Sequence, residues 1–326
     1  MKTPPFKLHR PNSIQDAVNI ASKLNSKGEE FDWVSGGTDL LPNYKWHINT
    51  KNHVISLANI GEMKRLESHH IGAMVTLHEL ENGPVHSLIQ KGASSIASTL
   101  IRRSGTVGGN ICLDTRCFWF NQTEDWRRSI DWCHKCDCDT NADCRVIPNQ
   151  NTLCVATYQG DLAPCFMVLG AMIHLAGPDG QRSMNLDEFF ALDGMKRNVL
   201  ENGEFVTHIT LPIESDQLVG DYQKLRLRES WDFPEAGVAA SWKCNEGRVE
   251  ELNIATTACE SIPRLHSEQV AEVLNEWDGK ESAKKLAEQI RKAVKPVNNT
   301  YFPPAYRRKM LRVLTKRALN GLLGGI

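Results

Sequence analysis

Val34-Ser35-Gly36-Gly37-Thr38-Asp39-Leu40 follows directly on the strand-like run Phe31-Asp32-Trp33-Val34, and Thr106-Val107-Gly108-Gly109-Asn110 answers it about 70 positions later. Two glycines after a strand let main-chain N–H groups approach an anion with no Cβ in the way. Neither stretch is the G-x-G-x-x-G of a dinucleotide fold, and neither ends in the Gly-Lys-Ser/Thr of a Walker loop. Singly, each reads as a turn. As a pair, with Thr106 and Asn110 as hydrogen-bonding neighbours, they could clamp one pyrophosphate by oriented amides.

Just beyond the second glycine pair lies Cys117 to Cys154, CFWFNQTEDWRRSIDWCHKCDCDTNADCRVIPNQNTLC, which holds six of the ten cysteines. Thiolates this dense suit an iron–sulfur cluster or zinc. Cys133, Cys136, Cys138 and Cys144 alone could supply a tetrahedral sulfur site. Disulfides would need an oxidising compartment, and Met1 to Pro11 lacks the apolar core of a secretory signal. A loop of this length inside a domain is uncommon unless it has a function. Trp119, Trp126 and Trp132 with Phe118 and Phe120 could wall off a cluster, or simply pack the loop. Arg127, Arg128 and Lys135 could temper its negative charge. Cys112, Cys165, Cys244 and Cys259 read as structural.

The 326 residues, 41% hydrophobic, suggest two domains with sizeable cores. Basic and acidic residues nearly balance, 38 against 39. No attraction to nucleic acid or to a membrane surface is implied. No apolar run approaches the roughly 20 residues of a membrane span. A cytoplasmic setting follows.

The apolar spacing Ile14, Ala17, Val18, Ala21, Leu24 predicts a helix capped by Ser13. Strands are expected over His53–Leu57 and Ile71–Leu77, then a helix from about Val85 to Ala97. Phe166–Leu175 is strongly apolar and Ser183–Leu186 a short return strand. Leu186–Phe190 reads as a short helix, and Phe205–Pro212 closes the first domain. A polar boundary spans Glu214–Gly220. Tyr222–Arg228 alternates like a strand with basic residues on one face, and a hairpin joins Val238–Lys243 to Arg248–Thr257. Helices over about 267–275, 281–294 and 304–322 end the chain, the last begun by Pro303-Pro304. No nucleophile–base pair stands out, and the histidines are scattered singly.

The two glycine stretches, with Ile71-Gly72-Ala73 running through Val75-Thr76-Leu77 into His78-Glu79-Leu80, resemble the FAD subunit of molybdenum hydroxylases. Gly160-Asp161-Leu162-Ala163-Pro164 is similar to that family's Ser-Asp-Leu-x-Pro motif. The likeness runs through Tyr306-Arg307-Arg308-Lys309-Met310. It implies an α+β chain: an FAD-binding domain over 1–216 (subdomains about 1–58 and 59–216, with the cysteine loop 117–154 inserted), then a C-terminal domain over 217–326 of a small antiparallel sheet plus three helices. FAD would be held by Val34, Ser35, Gly36, Gly37, Thr38, Asp39, Leu40, Thr106, Gly108, Gly109 and Asn110, with Asp161 on the ribose side and Lys224 beside the flavin.

The insertion resembles one subfamily, the beta subunits of 4-hydroxybenzoyl-CoA reductase, which carry a [4Fe–4S] cluster. By that pattern its ligands are Cys117, Cys133, Cys144 and Cys154. Cys136 and Cys138 depart from the pattern and remain open as spare thiols, replacement ligands or part of a second metal site. The resemblance implies an oxidoreductase subunit in a hetero-oligomer. Electrons would pass from reduced ferredoxin through [4Fe–4S] and FAD to the [2Fe–2S] clusters of a small subunit. A large molybdopterin subunit would then dehydroxylate 4-hydroxybenzoyl-CoA in aromatic degradation. The alternative is an ordinary molybdenum hydroxylase flavin subunit that passes electrons outward and binds structural zinc in its loop.

Overall fold

Ser13 caps the first helix as expected, its Oγ accepting the N–H of Asp16 at 3.1 Å, and Ile14–Asn25 turns Ala17, Val18, Ala21 and Leu24 inward. In the computed structural model, which describes residues 2–136, 141–149, 152–246 and 248–324, this helix is the crossover of a three-stranded parallel sheet. His53–Ser56 lies between Lys7–His9 and Phe31–Val34. Ala21, Leu24 and Ile55 form a small core beneath the helix.

A five-stranded antiparallel sheet follows, in the order Leu66–Glu67, His70–Gly72, Phe205–Thr210, Met172–Gly177, Gly180–Asn185. Everything between Gly72 and Met172, the cysteine loop included, is therefore one excursion from this sheet. The large core beside it gathers Leu80, Leu88, Ile89, Leu162, Phe166 and Phe189. The last sheet has four antiparallel strands, Arg264–Leu265, Arg248–Thr257, Ala236–Asn245 and Val219–Leu225. Helices Ser267–Leu274, Lys280–Ala293 and Pro304–Ala318 bury Leu286, Ile290, Leu311 and Leu314 with Val238, Trp242 and Ile254. Among the described residues, no helix is long and apolar enough to cross a membrane.

Several elements differ from the sequence reading. The strand expected over Ile71–Leu77 stops at Gly72, because Thr76 and Glu79 form a capping box that starts helix Leu77–Asn82. The helix expected from Val85 is shorter, Ser87–Ser94, and His86 caps it by accepting the N–H of Leu88. The apolar run from Phe166 divides between helix Leu162–Met167 and strand Met172–Gly177, with Gly170 at φ +71° between them. The polar boundary holds a 3-10 turn, Ile213–Gln217, and its strand begins at Val219 and ends at Leu225. The last helix breaks at Leu319 and resumes as Asn320–Gly324.

On the five-stranded sheet three histidines stack across adjacent strands. The ring centroids of His70 and His208 lie 4.4 Å apart, those of His208 and His174 4.1 Å. Burial, followed by the neighbouring histidines, pushes His208 down to about 4, and burial lowers the other two as well. Between about 6.5 and that value the unfolded chain binds more protons than the folded one, so stability falls as the pH drops through this window. His208→Gln is expected to flatten that loss when denaturant midpoints are compared at about pH 7 and about pH 5. An unchanged slope would show that the stack is not its source.

Candidate cofactor cleft and cysteine centre

A cleft of about 1030 Å³ is lined by both glycine stretches, from Val34 through Leu40 and by Thr106, Gly108, Gly109 and Asn110. The glycines hold the two together. A Cβ on Gly36 would lie 1.8 Å from the carbonyl oxygen of Ser104, and one on Gly109 2.9 Å from Ser35 Oγ. Gly37 sits at φ +69°, which favours glycine in its own right. The hydroxyl of Thr106 donates to Ser35 Oγ at 3.0 Å across the seam.

The expected clamp by amides from both stretches is one-sided. Among the described residues, no protein acceptor takes the N–H groups of Gly36, Gly37 or Thr38. The second glycine pair forms not a turn but the first turn of helix Val107–Ile111. Its amides are used internally: Gly108 donates to the Ala73 carbonyl at 2.8 Å, Gly109 to Thr106 Oγ1 at 3.1 Å, Asn110 to the Thr106 carbonyl at 2.9 Å. Asn110 Oδ1 in turn accepts the N–H of Leu162 at 3.1 Å. Free amides on one loop, in a concave site of this size, fit the pyrophosphate of a dinucleotide.

Asp161 lines the cleft, yet its carboxylate is engaged, accepting from Tyr222 Oη at 2.8 Å and from Lys224 Nζ at 3.0 Å. Burial raises Asp161 and lowers Lys224, and their contact opposes both shifts. Lys224, expected beside the flavin, is not among the residues lining the cleft. Its ammonium is turned to Asp161 and to the Ser95 carbonyl at 3.0 Å, so it positions Asp161. Asp39 likewise spends its carboxylate on Arg116. Arg116, which the sequence reading missed, lies over the Phe233 ring at 4.6 Å, and its Nε is buried with no partner on the cleft wall. Burial lowers it to about 10. Its only signal in the sequence was its place immediately before Cys117.

Cys117, Cys133, Cys144 and Cys154, all buried, line a second, small cavity with Trp119 and Phe120. Two of the sulfurs accept main-chain hydrogen bonds at 3.4 Å, Cys144 from Ile147 and Cys154 from Ala156. The amides of Trp119 and Lys135 act on Cys117 and Cys133 in the same sense, favouring the thiolate. Cys165 and Cys259 behave in the opposite way, donating S–H to the carbonyls of Asp161 and Glu235. Amide bonds to sulfur favour thiolate, which is what an iron–sulfur cluster requires. As bare thiols Cys117, Cys133 and Cys154 are disfavoured as anions, burial pushing Cys117 up to about 12 and Cys154 up to about 11.

A zinc site built from Cys133, Cys136, Cys138 and Cys144 is not what the described cysteines form. Cys136 lines the cleft instead and is disulfide-bonded, while Cys138 lies outside the described residues. Among the described residues, no three His, Cys, Asp or Glu side chains could hold a single ion. Of the expected aromatic wall, Trp119 and Phe120 reach the cavity, whereas Phe118 is half exposed. Cys165 and Cys259 are buried as structural cysteines, while Cys244 is exposed.

The description "FAD binding domain in molybdopterin dehydrogenase" matches residues 4–214, and "CO dehydrogenase flavoprotein C-terminal domain" matches 221–322. The chain belongs to this family of molybdenum hydroxylase FAD-binding subunits. The carbon monoxide dehydrogenase medium chain of Afipia carboxidovorans is 27% identical over 97% of this chain and 96% of its own. The aldehyde oxidoreductase FAD-binding subunit PaoB of Escherichia coli is 28% identical over 72% and 76%. In fold, the chain is similar to carbon monoxide dehydrogenase from Hydrogenophaga pseudoflava, with TM-score 0.76 and 24% identity over 98% of both chains. Quinoline 2-oxidoreductase from Pseudomonas putida 86 gives 0.75 and 18%, covering 100% of this chain and 99% of that one.

Gly36→Ala would drive a methyl into the Ser104 carbonyl and part the two stretches. Overpacking of this kind costs about 1–3 kcal/mol, so FAD affinity should fall about tenfold or more. Flavin absorbance after desalting measures it, and full retention would count against the cleft as the flavin site.

Proposed function

We propose that this chain is the flavin and iron–sulfur subunit of a molybdenum enzyme complex of the 4-hydroxybenzoyl-CoA reductase type. The observation that carries the reading is the set of four buried cysteines on one cavity, with main-chain amides donating to Cys144 and Cys154. The amides of Gly36, Gly37 and Thr38 would hold the pyrophosphate of FAD, with Ser35, Thr106 and Asp161 lining the same cleft. When bound, the two cofactors supply one-electron traffic on the cluster side and a store for two electrons on the flavin side. The protein places them and keeps water from the sulfurs.

The partners in this reading are a [2Fe–2S] small subunit and a molybdopterin large subunit, with reduced ferredoxin as the donor. On the large subunit, two electrons and two protons replace the phenolic hydroxyl of 4-hydroxybenzoyl-CoA, releasing benzoyl-CoA and water. Substrate does not touch this chain, which accords with the absence of a nucleophile–base pair in the cleft.

A second reading has electrons flowing outward, as in an ordinary hydroxylase. The names of the relatives, several of them dehydrogenases, favour it. It leaves the four cysteines without a redox task.

Cys117→Ser and Cys154→Ser should lose iron and reduction by ferredoxin while keeping FAD and slow turnover with a dye that reduces flavin directly. Cys136→Ser should keep its iron. Iron loss in Cys136→Ser would mean the ligand set is wrong, and full-rate ferredoxin reduction of Cys117→Ser would remove the cluster from the route.

A further inference from the structure

Among the described residues, Lys135 alone lines both the flavin cleft and the cysteine cavity. Its two halves face different ways. On the cavity side it follows Cys133 by two positions, and its main-chain N–H favours that thiolate. The buried ammonium donates to Asp114 Oδ1 at 2.7 Å, to Thr115 Oγ1 at 2.6 Å and to the Thr115 carbonyl at 3.1 Å, so its three protons are all taken. It also stands 4.8 Å from the centroid of Phe120, which lines the cysteine cavity. Asp114, on the cleft wall, receives Arg197 as well, at 3.2 Å.

Lysine and arginine thus share one carboxylate, Lys135 buried, Arg197 partly exposed and facing Asp32 as well. Burying ions is costly, and an apolar side chain of similar volume would close the same partition at less cost. A fold that needed only a wall would not require the cation. Its effect reaches both sides, because charges in a low-dielectric wall act strongly on their neighbours and are little screened by salt.

We propose that Lys135 is a positioning residue for electron passage: it fixes a positive charge in the wall between cleft and cysteine cavity, and so raises the reduction potential of whatever accepts electrons on either side. This rests on the reading of the chain as a flavin and iron–sulfur conduit. Each passage removes one electron from the cluster and adds one to the flavin, and the cluster's electron is replaced by the one-electron donor. No bond or proton of Lys135 changes. Added negative charge on either cofactor is stabilised by the fixed cation, and cluster potentials respond to nearby charge and burial in this way.

The test uses the assembled complex with Lys135→Met, Lys135→Arg and Asp114→Asn. FAD and iron are quantified first. Potentiometric titration then follows the flavin by absorbance and the cluster by electron paramagnetic resonance. Lys135→Met should keep FAD and shift both midpoints to more negative potential, and Lys135→Arg should restore them. Asp114→Asn, which leaves two cations, should shift the flavin midpoint the opposite way. A flavin midpoint in Lys135→Met equal to that of the unaltered protein, at full FAD content, overturns the proposal. If Lys135→Met fails to fold, an unmoved midpoint in Asp114→Asn overturns it instead. Should the unaltered complex contain no iron, the cluster reading fails, and the flavin midpoint by itself decides the role of Lys135.

Discussion

Two hydrogen bonds close the base of the cysteine loop, and the arrangement of the two cavities depends on them. Arg116 and Thr157 exchange N–H and carbonyl groups at 2.7 Å in each direction, forming an isolated antiparallel bridge. Forty residues separate the two positions, so this bridge fixes where a long excursion leaves the fold and where it returns. Asn299, fully buried and contributed by the C-terminal region, braces the same point. Its Nδ2 donates to the Val155 carbonyl at 2.7 Å and its carbonyl accepts the N–H of Phe118 at 2.9 Å. The side chain of Arg116 continues the connection into the cleft, pairing with Asp39 of the first glycine stretch. One residue therefore couples the loop's base to the flavin site.

Inside the loop, order comes from cations rather than from an extensive apolar core. Arg127 is buried beneath Trp132 and donates to the His47 carbonyl at 2.6 Å. Arg145 donates to the carbonyls of Ile130, Asp131 and Trp132. These bonds satisfy main-chain groups that a segment with one short helix, Glu124–Ser129, would otherwise leave unpaired. Arg145 also lines the cysteine cavity, and the charge of Arg127 favours the thiolate of Cys133.

Much of the fold was legible because local chemistry and tertiary packing agree. Ser13 and its periodic apolar partners specify the first helix, and the runs Val238–Lys243 and Arg248–Thr257, read as a hairpin, pair antiparallel. Legibility failed where two signals compete over a few residues. Thr76 and Glu79 overrule the β-branched run before them, and Gly170 breaks an apolar stretch that has no other marker. The glycine stretches were recognisable as a pair, and both line one cleft, but sequence does not reveal which amides remain free. That depends on Thr106 and Ala73 accepting from the second pair. The partner of Lys224 was illegible for a similar reason, since alternation along a strand gives its face and not Asp161, with which its ammonium pairs. Spacing could not separate the four cavity cysteines from Cys136. The structure separates them by place, the four lining one small buried cavity while Cys136 lies on the cleft.

The decisive measurement is the iron, acid-labile sulfide, zinc and FAD content of the protein purified without oxygen. An iron–sulfur and flavin conduit predicts about four iron and four sulfide per chain with one FAD and no stoichiometric zinc. One zinc per chain, or FAD with neither iron nor sulfide, would contradict it.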